Sequence, residues 1–305
     1  MARTGVPLEY HPPMMPKRRA ALQHRSSLPA SIHGATVTVG VAPTQVDAPG
    51  INRPWGEDGS GSIVSSHTQT ACLIPGGGRF WVERGEHVVV EAGPDDEPAP
   101  WLYGTVGAFV LAQQGRFALH ANVVEVNGRG IVIAGRRRAG KSTTSMALAG
   151  AGHRLVTDDV TTLDVDGAGV IHPPTGRPVH IHPQTAERLG ISLARGVPVA
   201  GDPTKLALPN PAGAPVEIAS IILLAAGGRD SSALMLDDLE PTRSAMVLHR
   251  HTYRRGVLAP LWSAEYFLWA SSVAHRVPVR LLVRPADGWT VDAVRAALEA
   301  IVADA

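Results

Sequence analysis

Cysteine is nearly absent: Cys72 is the only one in 305 residues, so no disulfide can form within the chain. Cys72 reads as a partly buried residue rather than a reactive thiol. Aromatic residues make up only 5%, so the core must rest on Val, Leu, Ile and Ala. Charge of one sign is also missing. The 28 Lys and Arg nearly balance 27 Asp and Glu, leaving a formal net charge of +1. Nothing in that balance calls for nucleic acid or an anionic membrane as partner, and neither is expected. No long hydrophobic run is present. The most apolar helix candidate, Leu258 to Ala274, is short for a bilayer and carries Glu265. The first residues lack the hydrophobic block of a secretion signal, and a cytoplasmic location is expected. With 44% hydrophobic and 18% charged residues, a folded core is expected, as one large domain or two modest ones.

Three regions follow one another. Residues 1–34, with Lys17-Arg18-Arg19 and Arg25 among prolines, read as a flexible arm. Residues 35–100 read as a small β-rich lobe. Short apolar runs at 36–39, 71–74, 80–83 and 87–91 are cut by Gly and Pro, and the last two runs look like a hairpin around Arg84-Gly85-Glu86. Gly93 to Pro98 is turn-rich and marks the boundary. Residues 101–305 alternate helix-like and strand-like runs. Helices are expected at 103–113, 142–149, 185–189, 241–251, 258–275 and 290–303, and strands at 120–126, 129–134, 154–157, 161–165, 169–172, 216–225, 233–236 and 277–283. Asn127-Gly128 supplies the φ > 0 pair of a two-residue hairpin turn, and Asp166-Gly167 marks another hairpin.

The most informative stretch is Gly135-Arg136-Arg137-Arg138-Ala139-Gly140-Lys141-Ser142, a G-x-x-x-x-G-K-[ST] loop. An apolar run at 130–134 leads in and a helical run leads out, so backbone N–H groups and a helix N-terminus would face the phosphates of a nucleotide. Lys141 would reach the β- and γ-phosphates, and the Ser142 hydroxyl would bind Mg²⁺; Thr143 follows in the same turn. Two hairpin strands feeding such a loop is unusual, because parallel crossovers are the common arrangement. Asp158 and Asp159 end the first strand past the loop helix, on the rim where the loop also lies. A carboxylate pair suits phosphoryl transfer, since the metal and the attacking hydroxyl need separate anionic partners. Arg136, Arg137 and Arg138 lie inside the loop, and at least one phosphate contact is expected among them. His180 and His182 are expected to alternate on one strand, with His172 nearby; such a pair can bind zinc, but no further Cys or carboxylate spacing supports a site. His249-Arg250-His251 reads as a cationic helix end. Arg254-Arg255 is a candidate lining of an acceptor groove. Leu261, Trp262, Glu265, Tyr266, Trp269 and Val273 have helical spacing and read as core or inter-subunit packing.

Leu119-His120-Ala121-Asn122-Val123-Val124, then the 135–142 loop, then Gly152-His153-Arg154-Leu155-Val156-Thr157-Asp158-Asp159, in this order, resemble the C-terminal kinase domain of HPr kinase/phosphorylase. The resemblance is specific over His120 to Leu163. It is looser from His180 to Val283, where Lys205, Arg250 to Tyr253 and Ala274 to Val279 look like the shorter HPr-kinase-related proteins of bacterial gene clusters. Some of those phosphorylate a serine of a ribosomally made peptide, including lasso-peptide precursors. The resemblance implies an α/β fold: a P-loop HPr-kinase-like core with a mixed sheet, preceded by the small β-rich lobe. It implies ATP and Mg²⁺ as cofactors, and a homo-oligomer. By position it makes Asp158 the general base for the acceptor serine and Asp159 an assistant or, with Ser142, a metal ligand. It sets His120 beside the acceptor or phosphate, and makes Lys205 and, more weakly, Arg276 further contacts. The family's second signature region is not found, and the N-terminal part does not resemble the regulatory domain. Phosphorylase activity and HPr itself as substrate are therefore not expected. The expected activity is transfer of the γ-phosphoryl group to a Ser hydroxyl of a protein or peptide. The alternatives are a nucleotide-binding switch without transfer and a kinase of a small hydroxylated metabolite. ATP and GTP are not distinguished.

Overall fold

The structure, a computed structural model, describes residues 28–167, 169–173, 177–199, 202–210, 213–228, 233–285 and 288–303. Most of the expected N-terminal arm, residues 1–27, lies outside the described residues.

The first seven strands form one sheet: β1 (Ser31–Ile32), β2 (Ala35–Val39), β3 (Ile51–Trp55), β4 (Gly61–Ser65), β5 (Gln69–Ile74), β6 (Gly78–Glu83) and β7 (His87–Glu91), in the order β1-β2-β7-β6-β5-β4-β3. Only β2 and β7 run parallel. The β6–β7 hairpin turns where the sequence places it, with Arg84 and Gly85 both at positive φ. Its strands alternate inward and outward, so Phe80, Val82, Val88 and Val90 enter the core. Residues 31–34, assigned to the arm, belong to this sheet. The β3–β4 hairpin was not legible in the sequence, because β3 is an exposed edge strand carrying Pro54. Cys72 is fully buried in β5, and burial pushes its thiol up to about 12, which makes it inert.

A helical segment joins the two sheets: α1 (Pro98–Trp101), a π-turn (Leu102–Val106) and α2 (Gly107–Gln113). The helix thus begins earlier than the sequence suggests, and it breaks at Gly104 (φ −95, ψ −106).

The remaining elements are β8 (Ala118–Leu119), β9 (Ala121–Val126), β10 (Arg129–Gly135), α3 (Lys141–Gly150), β11 (Arg154–Thr157), β12 (Thr161–Thr162), β13 (Asp164–Asp166), β14 (Gly169–His172), β15 (Val179–Ile181), α4 (Pro183–Arg188), β16 (Val197–Val199), β17 (Asp202–Leu208), β18 (Val216–Ala226), β19 (Met235–Asp238), α5 (Pro241–Arg250), α6 (Arg255–Arg276), β20 (Val279–Arg284) and α7 (Val291–Ala303). Eight strands make a mixed sheet in the order β11-β9-β10-β18-β14-β13, with β20 pairing both β18 and β19. β10 and β20 run parallel to β18, while β9 and β11 run antiparallel to their neighbours. β18 is nearly all apolar because both its faces are covered. Along β10 the side chains alternate: Ile131 and Ile133 face α3 and α7, whereas Val132 and Ala134 face α5 and α6. A separate three-stranded sheet, β15-β17-β16, stands beside this core.

α6 ties the sheets together. Its first half (Val257, Leu258, Trp262, Tyr266) packs in the cluster of the N-terminal sheet, and its second half (Ala270, Val273) packs on the mixed sheet. Pro260 removes a helix hydrogen bond, and the backbone kinks at Trp262 (φ −119, ψ 23). The expected aromatic strip is therefore core within one chain, with Glu265 facing solvent. No described helix is long and apolar enough to cross a membrane. Tyr266 is 1% exposed, and its ring lies 4.2 Å from that of Phe117. Tyr266→Ala is expected to lower stability by roughly 3–5 kcal/mol, the usual cost of removing a buried aromatic. Denaturant midpoints of the variant and parent check this.

Candidate active site

The site begins with a hairpin. β9 and β10 are joined by Asn127 (φ 50) and Gly128 (φ 83), the turn the sequence calls for. β10 delivers the chain to Gly135, and the loop that follows turns into α3 at Lys141. Arg138 (φ 67) and Gly140 (φ 108) supply the left-handed backbone the turn needs. α3 has no side-chain N-cap, so the N–H groups of its first turn are left without side-chain partners. Free N–H groups at a helix start are of the kind that can receive an anion. Lys141 is 8% exposed and folds back over the loop, donating to the carbonyls of Gly135 (3.1 Å) and Arg136 (3.5 Å). Burial pulls its pKa down, while Asp159 and Asp158 hold it up.

β11 pairs with β9 and ends at the acid pair. Asp159 takes a left-handed backbone (φ 72), and its N–H donates to Asn122 Oδ1 on β9 (3.2 Å). Asn122 Nδ2 donates to Ser145 Oγ (3.1 Å), which donates to the carbonyl of Lys141 (3.0 Å). This buried chain locks the turn of the acids to the first turn of α3. Asn122 was legible as part of a motif, but its bracing role was not.

The two acids stand in different surroundings. Asp158 is 4% exposed. Its Oδ2 accepts the His180 N–H (2.9 Å), and the Ser142 hydroxyl lies 3.5 Å from its Oδ1. Burial raises its pKa to about 6; the His180 N–H lowers it, Asp159 adds to the rise, and Arg177 and Lys205 oppose it. Asp159 is half exposed, with its Oδ1 3.1 Å from His120 Nδ1. His120 sits in the break between β8 and β9. The segment 251–253 pairs alongside, with the His120 N–H donating to the His251 carbonyl (3.0 Å) and the His120 ring stacked on Tyr253. Burial lowers the His120 pKa against the opposing pull of Asp159. A neutral ring that donates Nδ1–H to Asp159 keeps Nε2 as an acceptor.

Asp158 and Asp159 line a cavity of about 490 Å³. His180, Lys205 and Asp202 share their wall, and Trp101, Tyr103, Tyr253, Arg254 and Arg177 also line it. No residue of the 135–142 loop lines this cavity, so the acids stand between the loop and the open volume.

The residues singled out in the sequence divide accordingly. His120, Lys141, Ser142, Asp158, Asp159, Lys205 and Arg254 converge, and Thr143 lies in the first turn of α3. Arg136, Arg137 and Arg138 are exposed on the loop, where Arg136 is close enough to His251 to lower its pKa. Arg276 bonds to Ser272 one turn back on α6 and does not line the cavity. His172 is buried against the Thr162 carbonyl and His182 turns to the Thr204 carbonyl, so the two histidines serve separate contacts. Arg177 and Arg284 were missed. Arg177 precedes β15, and Arg284 ends β20 with its Nε donating to the Ala139 carbonyl of the loop (3.2 Å). Neither carries a local sequence signal.

Residues 111–174 match the family described as HPr Serine kinase C-terminal domain. The HPr kinase/phosphorylase of Clostridium beijerinckii is 50% identical over 50 residues, covering 16% of this chain and 17% of that protein. That of Treponema pallidum is 47% identical over 64 residues, covering 21% and 19%. The chain thus matches less than a fifth of the length of these relatives. Among solved structures, the Hpr(Ser) kinase/phosphatase from Coxiella burnetii aligns with 61% of this chain and 94% of its own, at a TM-score of 0.31 and 16% identity. The stretch that carries His120, the 135–142 loop and the acid pair is HPr-kinase-like.

Proposed function

We propose that the chain is an ATP- and Mg²⁺-dependent serine kinase, acting on a protein or a ribosomally made peptide of the lasso-precursor kind. One observation carries the reading: Asp158 meets Ser142 at 3.5 Å, so the acid pair adjoins the phosphate-binding loop at the floor of the cavity. The likeness of residues 111–174 to HPr kinases supports the same chemistry. The α3 N–H groups and Lys141 bind the triphosphate, once Lys141 leaves the loop carbonyls it now contacts. The Ser142 hydroxyl and the Asp158 carboxylate are hard oxygen donors and fit Mg²⁺. When bound, Mg²⁺ supplies positive charge against the β- and γ-phosphate oxygens. Asp159, half exposed at the cavity and oriented by His120, takes the proton of the serine hydroxyl. The serine oxygen then bonds the γ-phosphorus as its bond to the β-phosphate oxygen breaks, leaving ADP. This division exchanges the parts expected from the resemblance, in which Asp158 is the base and Asp159 the metal ligand. The raised proton affinity of Asp158 favours the assignment implied by the resemblance, and the two readings differ in their response to Mg²⁺.

Incubation of the full chain with γ-labelled ATP, Mg²⁺ and an array of Ser-containing peptides tests the proposal. Label is expected on serine. Nucleotide binding without a labelled peptide supports a switch, and label on small hydroxylated metabolites alone supports a metabolite kinase.

A further inference from the structure

Two guanidinium groups in the cavity have no part in the transfer described above. Arg177 precedes β15, and Arg254 lies between α5 and α6; the fold brings both to one cavity. Each rests against a tyrosine ring. Arg177 is 5.7 Å from the centre of Tyr103, and Arg254 is 5.4 Å from the centre of Tyr253. Stacking of this kind holds a planar cation in one orientation and keeps it poorly hydrated. Arg254 also occupies a left-handed backbone (φ 52), an unfavourable conformation for a side chain of its size.

Among the described residues neither arginine forms an ion pair, although four carboxylates line the same cavity. Asp202 is taken by Lys205 (3.2 Å) and Asp159 by His120 (3.1 Å). Asp158 accepts from the His180 N–H. Arg177 Nη1 and Arg254 Nε, both shielded from solvent, donate to no acceptor in the structure. Leaving such donors unpaired is unfavourable, and a bound anion relieves it. The 135–142 loop does not line this cavity and the acids stand between the two, so the arginines lie on the acceptor side of the site.

We propose that Arg177 and Arg254 form a receptor for a carboxylate carried by the acceptor, so that the preferred substrate is a serine with an acidic group a few residues away. This rests on the kinase reading for the identity of the acceptor, but the receptor itself is a binding site and is testable without turnover. The cavity, about 490 Å³, is large enough for a few peptide residues.

The test uses the full chain, immobilised, and a peptide library with a fixed central Ser and randomised flanks. One pool is C-terminally amidated, so that only side chains supply carboxylates. A second pool has free C-terminal acids, which identifies a terminal source. Bound peptides are expected to be enriched in Asp and Glu at one spacing, or in the free-acid pool. In Arg177→Gln and Arg254→Gln that preference is expected to fall roughly tenfold, the worth of a lost charge-assisted contact. Arg177→Glu is expected to turn it toward Lys-bearing peptides, which a merely structural role would not do. Binding of a fluorescent ATP analogue reports that each variant is folded. No acidic enrichment by the parent chain, or the same enrichment in folded Gln variants, overturns the receptor. If acidic peptides bind but take no label from ATP, the receptor stands and the kinase reading fails. If neutral peptides are labelled without acidic preference, the reverse holds.

Discussion

Asp158→Asn is expected to lower phosphoryl transfer by about a hundred- to a thousandfold, the scale seen when one positioned charge is removed from a transition state. The acid sits between the loop helix and the cavity, and the amide neither holds a cation well nor takes a proton. The Mg²⁺ dependence separates the two assignments of the pair. If Asp158 holds the cation with Ser142, the variant needs roughly tenfold or more Mg²⁺ for half-maximal nucleotide binding, and Asp159→Asn leaves that requirement unchanged. If Asp158 is the base, the Mg²⁺ requirement of Asp158→Asn equals that of the parent and transfer alone collapses.

The same substitution is expected to stabilise the protein near pH 7 when neither cation nor nucleotide is present. Asp158 in the folded chain has a pKa of about 6, against 3.8 for an ordinary aspartate. Between these values the folded state holds a proton that the unfolded state has lost. Stability therefore falls as pH rises through that window, and the full penalty is present above about 6. Below the ordinary value both states are protonated and there is no penalty. Asn carries no charge to bury, so the variant gains on the order of 2–3 kcal/mol at pH 7 and little near pH 4. Melting at the two pH values checks this, and a variant less stable than the parent at pH 7 contradicts the assigned environment.

Gly135→Ala should damage both fold and nucleotide binding. An added Cβ would lie 2.4 Å from the carbonyl oxygen of Leu224 and 3.3 Å from the Ala139 side chain. Leu224 belongs to β18, which is paired on both sides by β10 and β20 and has no room to retreat. The residue also has φ +152, where a side chain is strained. A loss of about 2–3 kcal/mol is expected from the clash and strain together. Because the clash pushes on the loop, a fall of at least tenfold in ATP affinity should accompany it. Gly167→Ala is the control: its Cβ meets nothing within 4 Å, and its φ lies outside the strained range. It should change stability by under about 0.5 kcal/mol. Equal denaturation midpoints for Gly135→Ala and Gly167→Ala would show that the β10–β18 contact is not the constraint described.

Local chemistry explains which parts could be read in advance. The β9–β10 hairpin was legible because Asn127-Gly128 is a backbone instruction that needs no distant partner. The loop and α3 were legible for the same reason, through the spacing of Gly135, Gly140, Lys141 and Ser142 between an apolar run and a helical run. β3, β16 and β17 were not. β3 and β16 are short and exposed, Pro54 and Pro198 interrupt their donors, and only pairing partners elsewhere in the chain make them strands. The helix expected over 103–113 begins at Pro98 and breaks at Gly104, a residue whose missing Cβ permits the departure from helical backbone.

The amino-acid order alone determined the strand–loop–helix unit, the adjacency of Asp158 and Asp159, and the inert, disulfide-free interior, since each follows from neighbours within a few residues. Tertiary structure decided what those groups face. Asp158 turned toward Ser142 and Asp159 toward His120 because β11 packs against β9, and Asn122 fixes the turn between them. Arg177 and Arg254 reached the same cavity only through contacts between segments 77 residues apart. Burial, not residue type, then raised the proton affinity of Asp158, while its neighbour Asp159 stayed half exposed.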